Sequence, residues 1–305
     1  MKRENIPFHI ATILQQAELT GIKTPLHPLM SIFRFEQVPV KEIGETIRFT
    51  TGFYSIALKH GCPCKLKYGQ TSYDFNQGVL SFFAPNQVHT LEAGDAIAPA
   101  GWSFNIHPDF IRNTSLDAKM KQYHFFQYAI NEALILSEEE EAMINGILQG
   151  IAQEYQQPID HFSQDIIINQ LELLLNYSNR FYNRQFITRK PAYSDLLEKV
   201  EQVLNTYFDN DLTTEEGLPT VRYLAGQLHM SPKYLSDTLR QLTGQSAQQH
   251  IHDRLIKKAK EVLAGTRLSV GEIAYQLGFA YPQAFNKLFR NKTAMSPMEY
   301  RQLFN

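Results

Sequence analysis

The sequence predicts an α+β protein of more than one domain, in which an N-terminal β-barrel and a pair of helices precede an all-α domain. Three observations support this fold class. Residues 28–110 form short alternating runs separated by Gly, Pro and Asn, as the strands of a small barrel or sandwich do. Residues 137–184 carry apolar side chains at helical spacing. Residues 221–300 contain a near-repeat of about fifty residues, which indicates a duplicated helical unit.

Length and charge support two parts with different tasks. The 305 residues are enough for two domains with a sizeable core in each. Residues 220–305 hold twelve Lys and Arg against five Asp and Glu, a net +7, so residues 1–219 carry −9 within a total of −2. A basic module on an acidic body fits a nucleic-acid reader attached to a part that does not touch DNA.

No membrane segment or disulfide framework is expected. No apolar run approaches the roughly 20 residues of a membrane span, and no signal-peptide core follows the first residues. We therefore expect a cytoplasmic protein. Cys62 and Cys64 are the only cysteines. Because they lack a second ligand pair and lie too close to bridge easily, reduced thiols in a turn are favoured over a redox or metal site.

The strand-like region contains a strand at 78–83, a proline turn and then His89. This order resembles the second half of a cupin barrel. Metal-binding cupins also need a His-x-His and a carboxylate on an earlier strand, and residues 60–64 do not supply them. We expect a cupin-like barrel that holds one small ligand, with no metal and no cofactor. The candidate pocket residues are Tyr54, Tyr68, His89 and Trp102, with plain core packing as the alternative for Trp102.

Two helices follow the barrel, at about 137–184. Ser137 and the glutamates after it are typical of a capping-box start. The first helix places apolar side chains at Met143, Ile147, Ile151 and Tyr155. The second has a broader apolar face, at Phe162, Ile166, Leu173 and Tyr177, widened by Ile167, Leu171, Leu174 and Leu175. Since such a face must be covered on more than one side, we expect a homodimer, with core packing alone as the alternative.

The helical pattern is interrupted at 183–193, which predicts a linker. The expected domains are therefore 1–185, for ligand sensing and dimerisation, and 186–305, for DNA binding. The second domain is expected to open with a helix capped by Ser194.

Each copy of the repeat predicts a short helix, a tight turn and a second helix, at about 220–243 and 269–293. Ala225 and Ala274 occupy the position where the two helices cross closely, because a larger side chain would separate them. The second helix of such a helix-turn-helix unit can enter the major groove of DNA. A helical solenoid is the alternative, but only two copies are present.

The two turns differ in quality. Gly278 supplies a permissive backbone in the second copy, whereas the first has His229, which is slightly strained if its φ is positive. Ser231-Pro232 is a strong helix start, with an N-cap serine and proline in the first turn. Tyr281-Pro282 is a poorer version of the same start.

One long helix is expected between the copies. Its apolar stripe is Ile251, Leu255, Ala259 and Val262, and it ends at Gly265. Its basic face carries Arg254, Lys257, Lys258 and Lys260. A rigid connector fixes the separation of the two readers, which we expect to match one duplex turn, about 34 Å.

Three motifs in this region occur together: the units Ala225–Leu235 and Ala274–Phe285, the stretch Gly271–Phe279, and the closing Ser296-Pro297 with Tyr300-Arg301. These motifs resemble the AraC/XylS family of bacterial transcription regulators, and the N-terminal half is loosely similar to the sensor half of that family. The resemblance implies a dimerising sensor barrel that binds a small effector. It also implies that the tandem helix-turn-helix domain acts on promoter DNA with RNA polymerase.

Carried over by position, the resemblance implies contacts to base edges from both second helices. They are Lys233, Ser236, Asp237 and Arg240 in the first, and Gln283, Ala284, Asn286 and Lys287 in the second. Lys donates to guanine, Gln and Asn pair with adenine, and Asp accepts from cytosine. For Asp237 an ion pair with Arg240 is the equal alternative. Arg240, Arg290 and Lys292 are implied phosphate contacts, and Ser231 and Tyr234 complete the candidate set.

The predicted function is that of a sequence-specific transcription regulator, commonly an activator in this family, with no catalytic residues. A small effector in the barrel would control it by shifting a population of conformations. Two alternatives stay open. One is a metal-dependent cupin enzyme that uses His60, His89 or His107 and also binds DNA, and the other is a regulator without any ligand.

Overall fold

The computed structural model describes residues 7–39, 46–60, 78–91, 100–158, 160–188, 190–210 and 212–303. The chain divides into two compact units, Met1–Gln185 (unit 1) and Phe186–Asn305 (unit 2). Cys62, Cys64 and Tyr68 lie outside the described residues. Within the described ranges, no helix combines the length and apolar character needed to cross a membrane.

The described strands of unit 1 form two sheets. They are β1 (Phe8–Ile10), β2 (Met30–Arg34), β3 (Ile47–Thr51), β4 (Tyr54–His60), β5 (Val79–Phe83), β6 (His89–Leu91), β7 (Ala100–Ile106) and β8 (Leu134–Ile135). The first sheet has the order β1-β3-β6 and the second the order β2-β7-β4-β5-β8. Only the pairing of β1 with β3 is parallel among these strands. The α+β class is confirmed, whereas the described strands do not close, so the cupin-like barrel stays a prediction.

One face of the five-stranded sheet is apolar and fully buried. Ile56 and Leu58 of β4 lie beside Phe104 and Trp102 of β7, because strand pairing sets these residues opposite one another. Phe82 of β5 shares the face and contacts Phe125, with ring centroids 4.3 Å apart. Period-two alternation therefore directs these side chains toward the helical half of unit 1.

The helices of unit 1 are α1 (Ile13–Thr20), α2 (Pro108–Ile111), α3 (Ser115–Lys119), α4 (Glu138–Gln156) and α5 (Ser163–Thr188). Short 3-10 turns lie at Phe35–Gln37, Met120–Gln122, His124–Gln127 and Ile130–Glu132. The predicted capping box of α4 is confirmed. The Ser137 hydroxyl accepts from the Glu140 N–H at 3.3 Å, and the Glu140 carboxylate accepts from the Ser137 N–H at 3.0 Å.

The core face of α4 is not the predicted one. Ile144, Leu148 and Ile151 are fully buried, whereas Met143 is 41% exposed. The stripe is therefore shifted by about one residue from Met143 and Ile147, and only Ile151 is common to both. Both sets have helical spacing, so the surface against which the helix packs selects between them.

The apolar face of α5 divides into two stripes. Ile167, Leu171 and Leu174 are buried inside unit 1. Phe162 and Leu173 are 57% and 47% exposed, and Ile166 is also exposed. The predicted breadth of the face is therefore present, and among the described residues only its inner stripe is covered.

Unit 2 is helical, with α6 (Lys190–Asp209), α7 (Leu212–Glu216), α8 (Val221–Gln227), α9 (Pro232–Thr243), α10 (Ala247–Gly265), α11 (Val270–Gln276), α12 (Pro282–Thr293) and α13 (Pro297–Gln302). Two expectations are wrong here. Ser194 lies inside α6 and does not cap it, and residues 183–188 are helical although 183–193 is predicted as a linker. Basic and polar side chains are a poor signal for a linker here, because Arg184 pairs with Glu140 of α4 and Gln185 is buried.

The core of unit 2 is built around α10. Leu255, Ala259 and Leu263 of this helix are buried among the apolar residues of α11 and α12. Phe208 of α6 belongs to the same cluster. The predicted stripe of α10 is confirmed at Ile251, Leu255 and Ala259, while Val262 is partly buried at the edge of the cluster.

Candidate nucleic-acid interface

The two helix-turn-helix units have equivalent turns. The Met230 N–H donates to the Ala225 carbonyl at 2.9 Å, and the Phe279 N–H donates to the Ala274 carbonyl at 3.0 Å. Both alanines are fully buried, as the close helix crossing requires. The repeat predicted from the sequence is thus repeated in its hydrogen bonds as well.

The residue at the centre of each turn has a positive φ. His229 has φ 54° and Gly278 has φ 89°, which confirms the strained histidine and the permissive glycine. Gly278 is also in close contact with another segment. A β-carbon there would lie 2.7 Å from the carbonyl carbon of Gly217 and 2.9 Å from the Leu218 nitrogen. Glycine is therefore required for both conformation and space.

The recognition helix of the first unit, α9, begins as predicted. Ser231 is its N-cap, with the hydroxyl accepting from the Tyr234 N–H at 3.3 Å, and Pro232 is the first helical residue. Ser231 thus has a structural role at the start of the helix. Ser236 is similarly engaged, because its hydroxyl accepts from the Ala247 N–H at 3.4 Å, at the start of α10.

Tyr234 does not lie on the exposed face of α9, which corrects its place in the candidate set. Its side chain is fully buried, and its ring meets Phe186 edge-on with centroids 5.3 Å apart. A side chain in the core cannot reach a base edge without unpacking unit 2. Tyr234 is therefore a packing residue of the helix that carries the other candidates.

Asp237 is 9% exposed and lies between two cations. Its carboxylate is 3.7 Å from the Lys233 ammonium, four residues before it, and 3.7 Å from the Arg240 guanidinium, three residues after it. The ion-pair alternative is thus present in the structure, with Lys233 as an additional partner. Lys233 and Arg240, which are both expected to reach DNA, are therefore both paired with Asp237.

The recognition helix of the second unit, α12, has a more open polar face. Gln283, Ala284, Asn286, Lys287 and Arg290 are all exposed, while Phe285 and Phe289 on the opposite side are fully buried. Asn286, Lys287 and Arg290 line a groove of about 560 Å³ beside the start of α13. Asn291 lines the same groove and is absent from the predicted set, because it lies beyond the first two helical turns.

Lys292 is less free than expected for a phosphate contact. Its ammonium donates to the Asp253 carboxylate at 2.7 Å, and the Gln245 side chain donates to the other oxygen of the same carboxylate at 3.0 Å. The bond joins the end of α12 to α10. Lys292 therefore supports the orientation of α12, and a DNA phosphate would have to compete with Asp253 for it.

The basic face of α10 also serves the fold. Lys258 donates to Asp209 at 3.0 Å, and Arg254 lies 3.7 Å from the same carboxylate and donates to Asn205. The Lys258 hydrogen bond lowers the pKa of Asp209. No sequence pattern indicates this pairing, because its acidic partner lies about fifty residues away on another helix.

Of the predicted pocket residues, Tyr54, His89 and Trp102 are described, and they do not share one environment. Trp102 is buried, donates from Nε1 to Asn145 at 2.6 Å and carries the Arg34 guanidinium 3.9 Å above its ring. Tyr54 meets Phe126 edge-on, with centroids 5.1 Å apart. Pairing of β4 with β7 sets both residues on the apolar, helix-facing side of the sheet, where Trp102 is a core residue and Tyr54 is partly buried.

His89 has a different environment. It lies in the three-stranded sheet, stacked on Phe49 with centroids 5.0 Å apart and in contact with Phe83 at 4.7 Å. The other two histidines of the metal-enzyme alternative have different partners. His60 lies 2.8 Å from the Glu141 carboxylate, and the His107 ring accepts a hydrogen bond from the Asp109 N–H. Among the described residues, no group of three or more His, Cys, Asp and Glu could hold a metal ion.

Comparison with known proteins agrees with the tandem units. A helix-turn-helix domain family matches residues 224–303. The HTH-type transcriptional activator RhaS of Escherichia coli O81 is 25% identical over 259 residues, which cover 82% of this chain and 85% of the relative. RhaS of E. coli O6:H1 is 25% identical over 255 residues, covering 81% and 84%.

A solved structure is similar to the C-terminal part of the chain. The C-terminal domain of AraT, a response regulator from Geobacillus stearothermophilus, is 27% identical to this chain. The match covers 34% of this chain and 84% of that one, with a TM-score of 0.30.

The close approach at the second turn makes a specific stability prediction. Gly278→Ala should destabilise unit 2 by about 2–4 kcal/mol for two reasons. Alanine is strained at a positive φ, and its β-carbon would clash with the Gly217 backbone. Gly244 is the matched control, since it has φ 76° but open space where a β-carbon would lie, and Gly244→Ala should cost only about 1 kcal/mol. Urea unfolding of the full chain, with hydrogen exchange of α11 and α12, measures both. Equal losses would show that the backbone contact is irrelevant.

The Asp237 ion pairs make a second prediction. Asp237→Asn keeps the shape of the side chain and releases Lys233 and Arg240, so binding to arbitrary duplex DNA should tighten and its salt dependence should steepen. Fluorescence anisotropy at several salt concentrations measures this. If Asp237 instead reads a cytosine, the variant will lose discrimination at one base pair and its salt slope will not change.

Proposed function

The chain belongs to the AraC/XylS family of transcription regulators, and we propose that it binds promoter DNA through the exposed faces of α9 and α12. A small effector held by unit 1 would control this binding. The observation that carries the proposal is the face of α12, where amide and ammonium side chains project from a helix whose other side is sealed by two phenylalanines. Such a helix supplies donors and acceptors in the pattern that the major groove offers.

The two recognition helices would contribute unequally. In α9, Lys233 and Arg240 share Asp237, which favours a role in affinity and positioning. In α12, Gln283, Asn286 and Lys287 are exposed and suit base reading, with Arg290 near the helix end as a phosphate contact. The domain boundary that separates this reader from the sensor is proposed at residues 185–186, which agrees with the division into two compact units.

Unit 1 would be a cupin-like sensor. Support comes from the contact between its two sheets, because Phe83 of β5 touches His89 of β6 and thereby joins the five-stranded sheet to the three-stranded one. Activation through RNA polymerase is proposed because the relative RhaS is a transcriptional activator. The protein would work in the cytoplasm, where promoter DNA is found.

DNA reading by α12 is tested with a duplex selected by the full chain from a random pool. Lys287→Ala should weaken binding to that duplex by about 1–3 kcal/mol and relax discrimination at one base pair. Lys121→Ala, at an exposed lysine of unit 1, is the matched control and should leave affinity unchanged. Anisotropy titrations at fixed salt measure both.

Two results would contradict this proposal. One is equal affinity of the wild-type chain for selected and scrambled duplexes at moderate salt. The other is an equal loss of affinity in Lys287→Ala and Lys121→Ala, since only the first lies on α12.

Dimerisation is proposed through the outer stripe of α5. Phe162, Ile166 and Leu173 are exposed at helical spacing on one side of this helix, and a second copy could cover them by the same stripe. A symmetric contact would bring two reader domains to one promoter, which multiplies their effective affinity.

Leu173→Lys should therefore weaken self-association by at least about 100-fold, because it places a charge at the centre of an apolar contact. Ile130 is 47% exposed in a 3-10 turn away from the stripe, and Ile130→Lys is the control that should remain dimeric. Sedimentation velocity of the full chain measures both. A wild-type chain that is monomeric at micromolar concentration rejects the interface.

A further inference from the structure

The second face of the five-stranded sheet carries a buried polar cluster among the apolar side chains of Phe33, Ala57, Val79 and Phe83. Ser31 is 3% exposed, Ser103 is 6%, Ser81 is 7% and Asn105 is 0%. Strand pairing sets them together, because Ser31 and Ser55 both lie opposite Asn105, and Ser103 lies opposite Ala57, which lies opposite Ser81. Buried polar groups are costly unless they find partners, so this face requires an explanation.

Part of the explanation is internal. The Ser55 hydroxyl donates to the Asn105 carbonyl oxygen at 2.6 Å. The Asn105 amide donates to Ser31 and to Ser103, each at 3.2 Å. Since Ser31 and Ser103 accept in these bonds, their own O–H groups remain able to donate. The network fixes the orientation of Asn105 and leaves the Ser31 and Ser103 hydroxyl groups able to donate to a further acceptor.

Lys59 lies on the same face, one step along the strands. It is two residues after Ala57 in β4 and lies opposite Gly101, which contributes no side chain. Its ammonium is 5.8 Å from the centre of the Phe35 ring. Burial lowers the pKa of Lys59, and among the described residues no carboxylate lies within salt-bridge distance of it.

His89 borders the same space from the other sheet. Phe83, which it contacts, lies opposite Ser55 and so shares the polar face. The His89 Nε2 atom is buried and has no hydrogen-bond partner among the described residues. Burial, and secondly the Lys59 charge, lower the pKa of His89. A neutral imidazole at this position can donate or accept a hydrogen bond.

We propose that the polar face binds a small hydroxylated anion, whose carboxylate or phosphate group pairs with Lys59 and His89 and whose hydroxyl groups bond to Ser31 and Ser103. This inference rests on the proposed effector control, and it gives the effector a chemical class. A charged, donor-rich face flanked by Phe49 and Phe83 suits a polar ligand with one negative end. An apolar ligand would give no partner to the Lys59 ammonium or to the buried His89 Nε2 atom.

The test uses the full chain and matched pairs of probes. Hexoses and pentoses are compared with the corresponding aldonates, uronates and sugar phosphates by thermal unfolding and then by calorimetric titration. At least one anionic probe should raise the melting temperature and bind about 10- to 100-fold more tightly than its neutral partner, as expected for a charge-assisted contact. The acid and phosphate arms distinguish a carboxylate from a phosphate ligand.

Lys59→Met retains most of the side-chain volume and removes the charge, so it should abolish the preference for anionic probes. Lys121→Met, at the exposed lysine, should bind like the wild type. If Lys59→Met does not fold, Ser103→Ala provides a second test. Ser103→Ala should lower the affinity for hydroxylated anions by about 3- to 10-fold, which is the contribution of one neutral hydrogen bond. It should leave the DNA affinity of the ligand-free protein unchanged.

Three outcomes overturn the inference. They are the absence of binding by any anionic probe, equal binding of neutral and anionic partners, and an unchanged preference in Lys59→Met. Binding of neutral sugars alone would be consistent with effector control. It would reject only the proposal that the effector is an anion. A DNA affinity that no bound probe changes would remove effector control too, while the DNA-reading proposal would remain.

Discussion

Burial against α10 is the interaction on which both readers depend. A unit of two short helices has no second layer against which to bury its apolar side, so it is not stable alone. Ile251, Leu255, Ala259 and Leu263 supply that layer, and each is at most 1% exposed. The second unit adds Phe285 and Phe289 to this core. Side chains that face DNA can therefore be polar and exposed, because folding does not depend on them.

The positive charge of unit 2 serves two purposes, because some cations pair with carboxylates on other helices and others are exposed on α12. Three of its cations hold helices together. Lys258 and Arg254 bind Asp209 and so fix α6 to α10, and Lys292 binds Asp253 and so fixes α12 to α10. The excess that indicates nucleic-acid binding is thus partly structural. What distinguishes α12 is that its middle turn presents Asn286 and Lys287, for which no carboxylate partner is found among the described residues.

Local features can be predicted from the sequence, and long-range ones cannot. The caps at Ser137 and Ser231 and the turns at His229 and Gly278 depend on a few neighbouring residues, and the structure confirms them. The burial of Tyr234, the shift of the α4 stripe, and the packing of Trp102 against Arg34 depend on elements distant in sequence. The polar sheet face has no sequence signal for a related reason. Its serines are scattered over four strands, and only strand register shows that they share one side.

The length of α10 has a consequence for how such a protein can change. At about 1.5 Å and 100° per residue, one inserted residue would lengthen the connector slightly but turn everything after it through more than a quarter of a circle. Buried side chains at both ends, from Ile251 to Leu263, resist that rotation. The spacing between α9 and α12 is therefore hard to alter by small insertions. If α12 reads bases as proposed, divergence in target sites is easier through single exchanges on its surface, which leave the geometry of the pair untouched.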